Sequence, residues 1–283
     1  MTGSPTAGDY LRPDLFRGRS ALVTGGGTGL GLEVSRALAA LGARVAIASR
    51  DPAHHTAFLR EAAAAGWTAR ADVLDVRDAR ATRRVVDQVA AAFGGLDLLV
   101  ANAAGNFVRP ALRLPPRAWQ SVIDIALSGV FYSAQAAARV MGESGRGGAI
   151  ATIVAPYAWS GCPGVVHSAA AKAGVLALTY TLAAEWAPLG IRVNAVAPGP
   201  FTSEGAGDRL WPSTEMENRV REQIPAGRFG TAREVADAVL YLLSPAAAYV
   251  SGACLTIDGG WWLGKGLFGA GEVETVRRRQ RGE

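Results

Sequence analysis

The sequence predicts an α/β protein built on a doubly wound, mostly parallel sheet of seven strands with helices on both faces. Short aliphatic runs alternate with longer Ala-rich stretches along nearly the whole chain of 283 residues. Several short runs are continuously apolar, as expected when helices cover both faces of a parallel sheet. A glycine cluster also follows the first run, where such a sheet turns into its first helix. Right-handed crossovers then place the ligand at the carboxyl ends of the strands.

Each predicted element follows from its residue types. The strands are short aliphatic and β-branched runs at 20–24, 44–48, 68–72, 97–101, 148–154, 192–196 and 254–257. The helices are longer and Ala-rich, and they are predicted at 31–41, 79–93, 116–141, 169–187 and 232–243. No linker rich in Pro, Gly and Ser divides the chain, and no segment repeats. We therefore expect one domain over residues 18–262, with an N-terminal arm at 1–17 and a tail at 263–283.

The composition indicates a globular protein that handles small anionic molecules. Hydrophobic residues make up 49% of the chain and charged residues 19%, which is enough for a large core. The net charge is +5, and Arg277, Arg278, Arg279 and Arg281 of the tail supply part of it. A nucleic-acid surface needs basic residues interleaved with aromatic ones on one face, and we see no such pattern. Nucleic acid is therefore not an expected partner.

The cysteines, the histidines and the N-terminal residues argue against further classes of protein. Cys162 and Cys254 lie in no CxxC pair, so neither a disulfide framework nor a structural zinc site is expected. The three histidines, His54, His55 and His167, show no metal-ligand spacing. The N-terminus has no basic stretch followed by an apolar run, and apolar stretches such as 193–197 are too short to cross a bilayer. We expect a cytoplasmic protein without a metal site or a membrane partner.

A glycine-rich turn follows the first predicted strand and opens the first helix. It reads TGGGTGLG from Thr24 to Gly31. Gly25 permits the tight turn, Gly29 lets the backbone approach a diphosphate, and Gly31 lets the helix pack closely on the strand. Free N–H groups at the helix N-terminus favour phosphate. This arrangement predicts a Rossmann-type dinucleotide site, with Gly25, Thr28, Gly29, Leu30 and Gly31 as cofactor-binding residues.

The end of the second strand favours NADPH over NADH. An NAD site usually has a carboxylate here that binds both ribose hydroxyls. Arg50 stands in that neighbourhood instead, and a guanidinium can pair with a 2′-phosphate. Asp51 follows directly and could compensate that charge, while an exposed surface arginine is the alternative interpretation of Arg50.

Motifs after the later strands resemble those of the short-chain dehydrogenase/reductase family over nearly the whole chain. Beside the glycine turn, the matching pieces are Asp75-Val76, Asn102-Ala103-Ala104-Gly105, Lys172, Pro198-Gly199 and Asp258-Gly259-Gly260. The resemblance implies that Asp75 and Val76 flank the adenine. It implies that the segment from Asn102 through Ala103 to Gly105 lines a ribose and that Lys172 binds ribose hydroxyls. It adds Pro198 and Gly199 to the cofactor-binding residues and implies a homotetramer.

Two positions depart from the usual pattern of that family. Most members have a tyrosine four residues before the lysine, and this chain has Ser168 there. The asparagine usual in the helix before the fifth strand is replaced by Ala126. The 2,4-dienoyl-CoA reductases depart in the same way, and the stretches 103–107, 168–175, 183–186, 191–200 and 224–230 resemble that branch.

The resemblance to this branch implies a set of catalytic residues. An asparagine directly after the Ala-Ala-Gly run binds the substrate carbonyl, and here it is Asn106. A tyrosine fifteen residues before the lysine donates the proton, and Tyr157 stands at that spacing from Lys172. Ser168 matches the serine four residues before the lysine, and we expect Ser168 and Lys172 to position the cofactor. Tyr157 as a loop aromatic, Asn106 as a turn residue and Ser168 as a helix-surface residue are the structural alternatives.

These residue types suit reduction of a conjugated 2,4-dienoyl-CoA, an auxiliary reaction of fatty acid β-oxidation. Hydride addition to the remote diene carbon moves negative charge onto the thioester oxygen, where the neutral donors Asn106 and Tyr157 could stabilise it. Protonation, expected at the α-carbon, then needs a general acid. We also expect the charge of Lys172 and of the oxidised nicotinamide to favour the ionised form of Tyr157.

The expected substrate site includes Asn106, Tyr157, Phe107, Arg109 and Phe201. Arg109 could meet an anionic group of CoA, although an exposed arginine is its default interpretation. By the resemblance, residues of about 200–225 form a lid over the substrate, and Phe201 belongs to it. Two other functions stay open: an oxidoreductase for another enoyl or carbonyl substrate, including a biosynthetic one, and a non-catalytic NADP(H)-binding scaffold or sensor.

Overall fold

The computed structural model describes residues 12–202 and 213–263 of the chain. Strands lie at β1 Ser20–Thr24, β2 Arg44–Ser49, β3 Ala69–Val73, β4 Leu98–Ala101, β5 Gly148–Ile153, β6 Ile191–Pro198, β7 Phe201–Thr202, β8 Gly230–Thr231 and β9 Cys254–Ile257. Seven of them form one parallel sheet in the order β3-β2-β1-β4-β5-β6-β9, and β7 pairs with β8. The predicted fold class is confirmed, and each predicted strand of the sheet is found within two residues of its expected bounds.

Helices connect the strands in nearly the expected places. They are α1 Gly29–Ala40, α2 Thr56–Ala65, α3 Ala79–Phe93, α4 Pro116–Ile123, α5 Gly129–Glu143, α6 Tyr157–Ser160, α7 Val166–Glu185, α8 Thr214–Glu222 and α9 Ala232–Leu243. No helix is predicted from the sequence between β2 and β3, where α2 lies. Only Phe58 and Ala62 of α2 are buried, so its apolar stripe is too narrow for a strong periodic signal.

The helix predicted at 116–141 is interrupted. A π-helical turn, Asp124–Ser128, separates α4 from α5. Ala126, which replaces the family's usual asparagine, lies in this turn with 1% of its surface exposed and packs with Val122 and Ala171 of α7. Single π-helical turns inside helices occur frequently at functional sites.

Two apolar layers cover the two faces of the sheet. One layer contains α1 and α9, which pack against each other. The other contains α3, α5 and the buried residues of α7. Strand residues such as Leu22, Val23 and Ile150 are fully buried between these layers. Burial on both faces explains why the strand sequences are continuously apolar.

The described part of the predicted N-terminal arm packs on the domain. Residues 12–17 form a turn in which Phe16 is 1% exposed and joins the layer of α1. The backbone N–H of Phe16 donates to the carbonyl of Leu41 at 2.9 Å. Residues 1–11 and 264–283, which make up most of the predicted arm and tail, lie outside the described residues.

One helical segment is long and apolar enough to cross a membrane by length and composition. It is Pro116–Glu143, with 28 residues and a mean hydropathy of 1.2 in its most apolar window. Half of that window is buried inside the fold, where α5 packs on α3. A helix in the core of an α/β sheet meets the same criterion, so the segment is weak evidence for a membrane span.

The turn between β1 and α1 depends on a close approach that only glycine allows. Gly25 has a φ of +65°, in the left-handed region that favours glycine. A Cβ on Gly31 would lie 2.1 Å from the carbonyl oxygen of Gly25 and 2.6 Å from the side-chain nitrogen of Asn102. This contact sets the distance between the helix N-terminus and the ends of β1 and β4.

We predict that Gly31→Ala lowers the free energy of unfolding by about 1–3 kcal/mol, because the added methyl group overpacks this contact. The matched control is Gly142→Ala in α5, where a Cβ would lie 3.4 Å from Leu189. That change should be neutral or stabilising, because alanine favours the helix. Urea unfolding of both variants tests the prediction, which fails if Gly31→Ala is as stable as the wild type.

Candidate active site

A cleft of about 660 Å³ opens at the carboxyl ends of β1, β2 and β4. Nine of the predicted cofactor-binding residues line it together: Gly25, Thr28, Leu30, Gly31, Arg50, Asp75, Val76, Asn102 and Ala103. Each follows a strand or opens α1, because the ends of parallel strands meet at one edge of the sheet. The glycine cradle and the helix N-terminus suit the phosphates of a dinucleotide, so the residues present fit such a cofactor.

The structure places the other predicted cofactor residues around this cleft rather than on its described wall. Gly29 is the first residue of α1 and has a φ of +51°. Gly105 continues the loop after β4 and lies against Ile125. Pro198 ends β6, and a Cβ on Gly199 would lie 2.4 Å from Cβ of Asp258. Lys172 lies deeper, on α7.

Asn102 holds the glycine turn in place. Its side-chain amide donates to the carbonyls of Thr24 and Gly25 at 3.0 and 3.3 Å. The hydroxyl of Thr24 accepts from the backbone N–H groups of Asn102 and Ala103, both at 3.1 Å. The ends of β1 and β4 are therefore linked by polar contacts directly behind the cofactor cleft.

Two opposite charges stand at the end of β2. Arg50 is exposed and lines the cleft. Asp51 caps the 3-10 turn Pro52–His55, and its carboxylate accepts the backbone N–H of Ala53 at 2.9 Å. Asp51 also lines the cleft, but this hydrogen bond already uses part of its carboxylate. His54 also lines the cleft, although it is not among the binding residues predicted from the sequence.

The predicted adenine partner Asp75 forms an ion pair. Its carboxylate accepts two hydrogen bonds of 2.9 Å from Nε of Arg77. The guanidinium of Arg77 is the main reason why the pKa of Asp75 lies below its ordinary value, and the more distant Arg50 adds to the shift. Asp75 is therefore a carboxylate at neutral pH and can accept a hydrogen bond from a ligand.

Tyr157 and Ser168 are brought together at the carboxyl end of β5. Tyr157 begins the short helix α6, and Ser168 lies in the first turn of α7. Their hydroxyl oxygens are 3.1 Å apart. Burial raises the pKa of Tyr157, and the hydrogen bond from Ser168 opposes that shift only in part.

This direction differs from the expected stabilisation of ionised Tyr157 by Lys172. Lys172 does not contribute to the shift, and desolvation of the phenolate is the largest cause. In the protein alone Tyr157 therefore holds its proton at neutral pH. A neutral tyrosine can donate both a hydrogen bond and a proton.

Lys172 lies one helical turn beyond Ser168 on the same face of α7, because residues four apart are neighbours on a helix. Its side chain is 6% exposed, and its ammonium donates to the carbonyl of Ile153 at 2.6 Å. Burial lowers the pKa of Lys172 to about 8. The carbonyl of Ile153 is a functional partner that no side-chain pattern in the sequence could reveal.

The loop after β4 carries the predicted substrate residues. Asn106 is exposed, and its side-chain oxygen accepts the backbone N–H of Phe107 at 2.9 Å. The amide nitrogen of Asn106 has no such internal bond among the described contacts, so it is available as a donor. Phe107 is 38% exposed, and its ring packs edge-to-face on His167 with 4.4 Å between centroids.

In the described residues, the two other predicted substrate residues make no hydrogen bond with Tyr157 or Ser168. Nε of Arg109 donates to the carbonyl of Arg113 at 3.0 Å, and Arg109 is exposed. Phe201 lies in β7, which is paired with β8. In the described residues, no hydrogen bond joins Asn106 to Tyr157, Ser168 or Lys172. Residues 203–212 of the predicted lid lie outside the described residues, and α8 forms its later part.

The parallel sheet, the glycine turn and a buried lysine one helical turn from the Tyr157–Ser168 pair define a nicotinamide-dependent oxidoreductase. The chain matches the family described as "Enoyl-(Acyl carrier protein) reductase" over residues 25–262. It therefore belongs to the short-chain dehydrogenase/reductase family.

Several members of this family are similar to the chain over most of their length. One is the "Probable 2,4-dienoyl-CoA reductase [(2E)-enoyl-CoA-producing]" of Bacillus subtilis, 42% identical over 87% of this chain and 97% of the relative. Another is the "Peroxisomal 2,4-dienoyl-CoA reductase [(3E)-enoyl-CoA-producing]" of Pongo abelii, 41% identical over 89% and 86%. A solved structure from Agrobacterium tumefaciens with bound NADP has a TM-score of 0.82 and 36% identity, covering 89% of this chain and all of that one.

The burial of Lys172 predicts a specific pH dependence of stability. Because its pKa is about 8 in the folded chain against 10.5 ordinarily, the unfolded chain binds more protons between these values. Stability therefore rises with pH across this window. From neutral pH to about pH 9.5 we expect a gain of about 2 kcal/mol in the wild type relative to Lys172→Met. Urea unfolding at both pH values measures it, and parallel pH dependences of the two proteins would contradict it.

Proposed function

We propose that the protein is an NADPH-dependent 2,4-dienoyl-CoA reductase. The observation that carries the proposal is the hydrogen bond between Tyr157 and Ser168 next to buried Lys172. The usual tyrosine position on α7 is a serine, and the tyrosine reaches the same place from α6. A proton donor that is displaced in this way suits a reaction in which hydride goes to a carbon far from the carbonyl oxygen. The names of the two relatives support the same substrate class.

The residues of this chain supply the acid–base and electrostatic part of the reaction. NADPH, when bound, supplies the hydride. Negative charge then collects on the thioester oxygen, where the free amide of Asn106 and the hydroxyl of Tyr157 act as preorganised neutral donors. Tyr157 holds its proton in a buried position and passes it to substrate carbon. Ser168 bonds Tyr157, and Lys172 is placed to bind ribose hydroxyls of the cofactor.

The carbon that takes the proton decides the product. Protonation at the α-carbon gives a 3-enoyl thioester, whereas protonation two carbons farther along gives a 2-enoyl thioester. The printed names of the two relatives differ on this point, since one is (2E)-producing and the other (3E)-producing. We propose α-carbon protonation, because the α-carbon is bonded to the thioester carbonyl carbon. The donors that face the thioester oxygen then also lie close to the carbon that takes the proton.

The cofactor preference is proposed from the charges around the end of β2. Arg50 offers a guanidinium to a 2′-phosphate, and part of the Asp51 carboxylate is bound to the backbone. A structural neighbour contains bound NADP, which supports the same preference.

Tyr157→Phe should lower kcat with a 2,4-dienoyl-CoA by about 100- to 1,000-fold, because the acid and one oxyanion donor are lost together. The NADPH dissociation constant should stay within about twofold, since Tyr157 does not line the cofactor cleft. NADPH absorbance follows the reaction, and fluorescence titration gives the affinity. The matched control is Tyr180→Phe, on α7 but half exposed, which should behave as the wild type.

The same assay separates the competing functions. A β-ketoacyl-CoA tested beside the dienoyl-CoA should not be reduced. NADPH oxidation with the ketone alone would move the substrate class to carbonyl compounds. Binding of NADPH without reduction of either substrate would overturn reductase activity on these compounds and favour a sensor.

Arg50→Gln should weaken NADPH binding by about 10- to 100-fold, which corresponds to one charge-assisted hydrogen bond. NADH binding should change little, because NADH has no 2′-phosphate. Arg60→Gln, an exposed arginine on α2, serves as the control. Equal losses of affinity for NADPH and NADH would show that Arg50 does not bind the 2′-phosphate.

A further inference from the structure

One buried polar residue next to the site takes no part in the proposed reaction. His167 directly precedes Ser168 on α7 and has no exposed surface. The backbone N–H of Ser168 donates to its Nδ1 at 2.8 Å. An Nδ1 that accepts a hydrogen bond leaves the proton of the neutral ring on Nε2.

The imidazole supplies what the start of α7 lacks. The first N–H groups of a helix need partners, and the residue at the N-cap position, Val165, has no polar side chain. Nδ1 of His167 takes the N–H of Ser168 instead, which fixes the orientation of the ring. In the described part of the chain, Nε2 is buried and has no hydrogen-bond partner. An apolar residue at this position would avoid the cost of burying Nε2 without a partner. The hydrogen bond that Nδ1 accepts therefore explains why a histidine stands here.

The fixed ring packs against the loop that carries the substrate donors. The rings of His167 and Phe107 are perpendicular, at 89°, and their centroids lie 4.4 Å apart. A second contact joins the same two segments, because the N–H of Arg109 donates to the carbonyl of Gly164 at 2.7 Å. The loop residues on either side of Val108 are therefore held against the start of α7.

Asn106 depends on this attachment. Its side-chain oxygen is bonded to the N–H of Phe107 at 2.9 Å, so the direction of its free amide nitrogen follows the backbone of Phe107. The hydroxyls of Ser168 and Tyr157 form the other part of the donor arrangement, and the backbone N–H of Ser168 donates to Nδ1 of His167. One imidazole thus contacts both halves of the donor arrangement.

We propose that His167 is a positioning residue that sets the donor amide of Asn106 relative to the Tyr157–Ser168 pair, and that it acts through the ring of Phe107. The inference rests on the proposed function, because the substrate for which the donors are set is the dienoyl thioester. His167 does not act as an acid in this role. Its Nε2 is buried, and its Nδ1 is bound to the backbone.

The test uses His167→Leu, which fills similar volume without a ring or an acceptor nitrogen. Val166→Ala is the matched control, because Val166 is the neighbouring residue in the same turn and is 40% exposed. Amide hydrogen exchange of Arg109 reports the attachment of the loop without any substrate. We expect faster exchange at Arg109 in His167→Leu and no change in Val166→Ala. Unchanged exchange would overturn the contact on which the inference stands.

Kinetics test the consequence for the substrate. In His167→Leu we expect kcat/KM for the dienoyl-CoA to fall roughly three- to tenfold, the size of one aromatic pair, with unchanged NADPH affinity. The loss should not add to that of Phe107→Ala in the double variant, because both changes remove one contact. Additive losses, or equal losses in NADPH affinity, would overturn a role through Phe107. If His167→Leu does not fold, His167→Phe takes its place, because it keeps an aromatic ring and removes both ring nitrogens.

The two proposals fail separately. If the wild type does not oxidise NADPH with a dienoyl-CoA, the proposed function fails while the exchange measurement still decides the contact. If the wild type is active and His167→Leu matches it in exchange and in kcat/KM, only the role of His167 fails.

Discussion

Covering a parallel sheet on both faces is the constraint from which the site follows. The faces of the sheet are dry, so polar chemistry is confined to the ends of the strands, where backbone groups are free. Because all seven strands run in one direction, their carboxyl ends meet at one edge. Residues as far apart along the chain as Gly25, Asn102 and Tyr157 therefore lie at the same edge. Gly31 makes that edge usable for a dinucleotide, since it brings α1 against the end of β1.

Helix α7 transmits this geometry to the reacting groups. Ser168 and Lys172 are one turn apart, so a single rigid element places a hydroxyl near Tyr157 and an ammonium near the end of β5. His167 adds a third contact from the same turn toward the loop after β4. The π-helical turn Asp124–Ser128 also packs on α7, where Ala126 meets Ala171. The departures from the family's usual residues thus lie within one packed unit.

Burial gives the two titratable groups of the site opposite roles. Desolvation raises the pKa of Tyr157 and lowers the pKa of Lys172, and in both cases it disfavours the charged form. For Tyr157 the result is a retained proton, which an acid needs. For Lys172 the result is an ammonium that is less stable than in water and is held by the carbonyl of Ile153. Titratable groups whose pKa values are shifted by desolvation are typical of functional sites.

The sequence by itself determined the fold class, the order of the strands along the chain and the position of the glycine turn. These follow from local patterns: continuous apolar runs, Ala-rich helices, and glycines at fixed offsets after a strand. It also indicated Tyr157, Ser168 and Lys172 as one set, because their spacing along the chain matches a known branch. It did not reveal helix α2, which buries only Phe58 and Ala62, or the π-helical turn within 116–141.

Only the tertiary structure decided how these residues meet. The 3.1 Å contact between Tyr157 and Ser168 depends on the packing of α6 against α7, and the partner of Lys172 is a backbone carbonyl without a side-chain signature. The direction of the Tyr157 pKa shift depends on how much water the fold removes, which a linear sequence does not contain. The contact of His167 with Phe107 joins helix α7 to a loop some sixty residues earlier in the chain. Local residue patterns specify elements, whereas distances and desolvation arise when those elements pack.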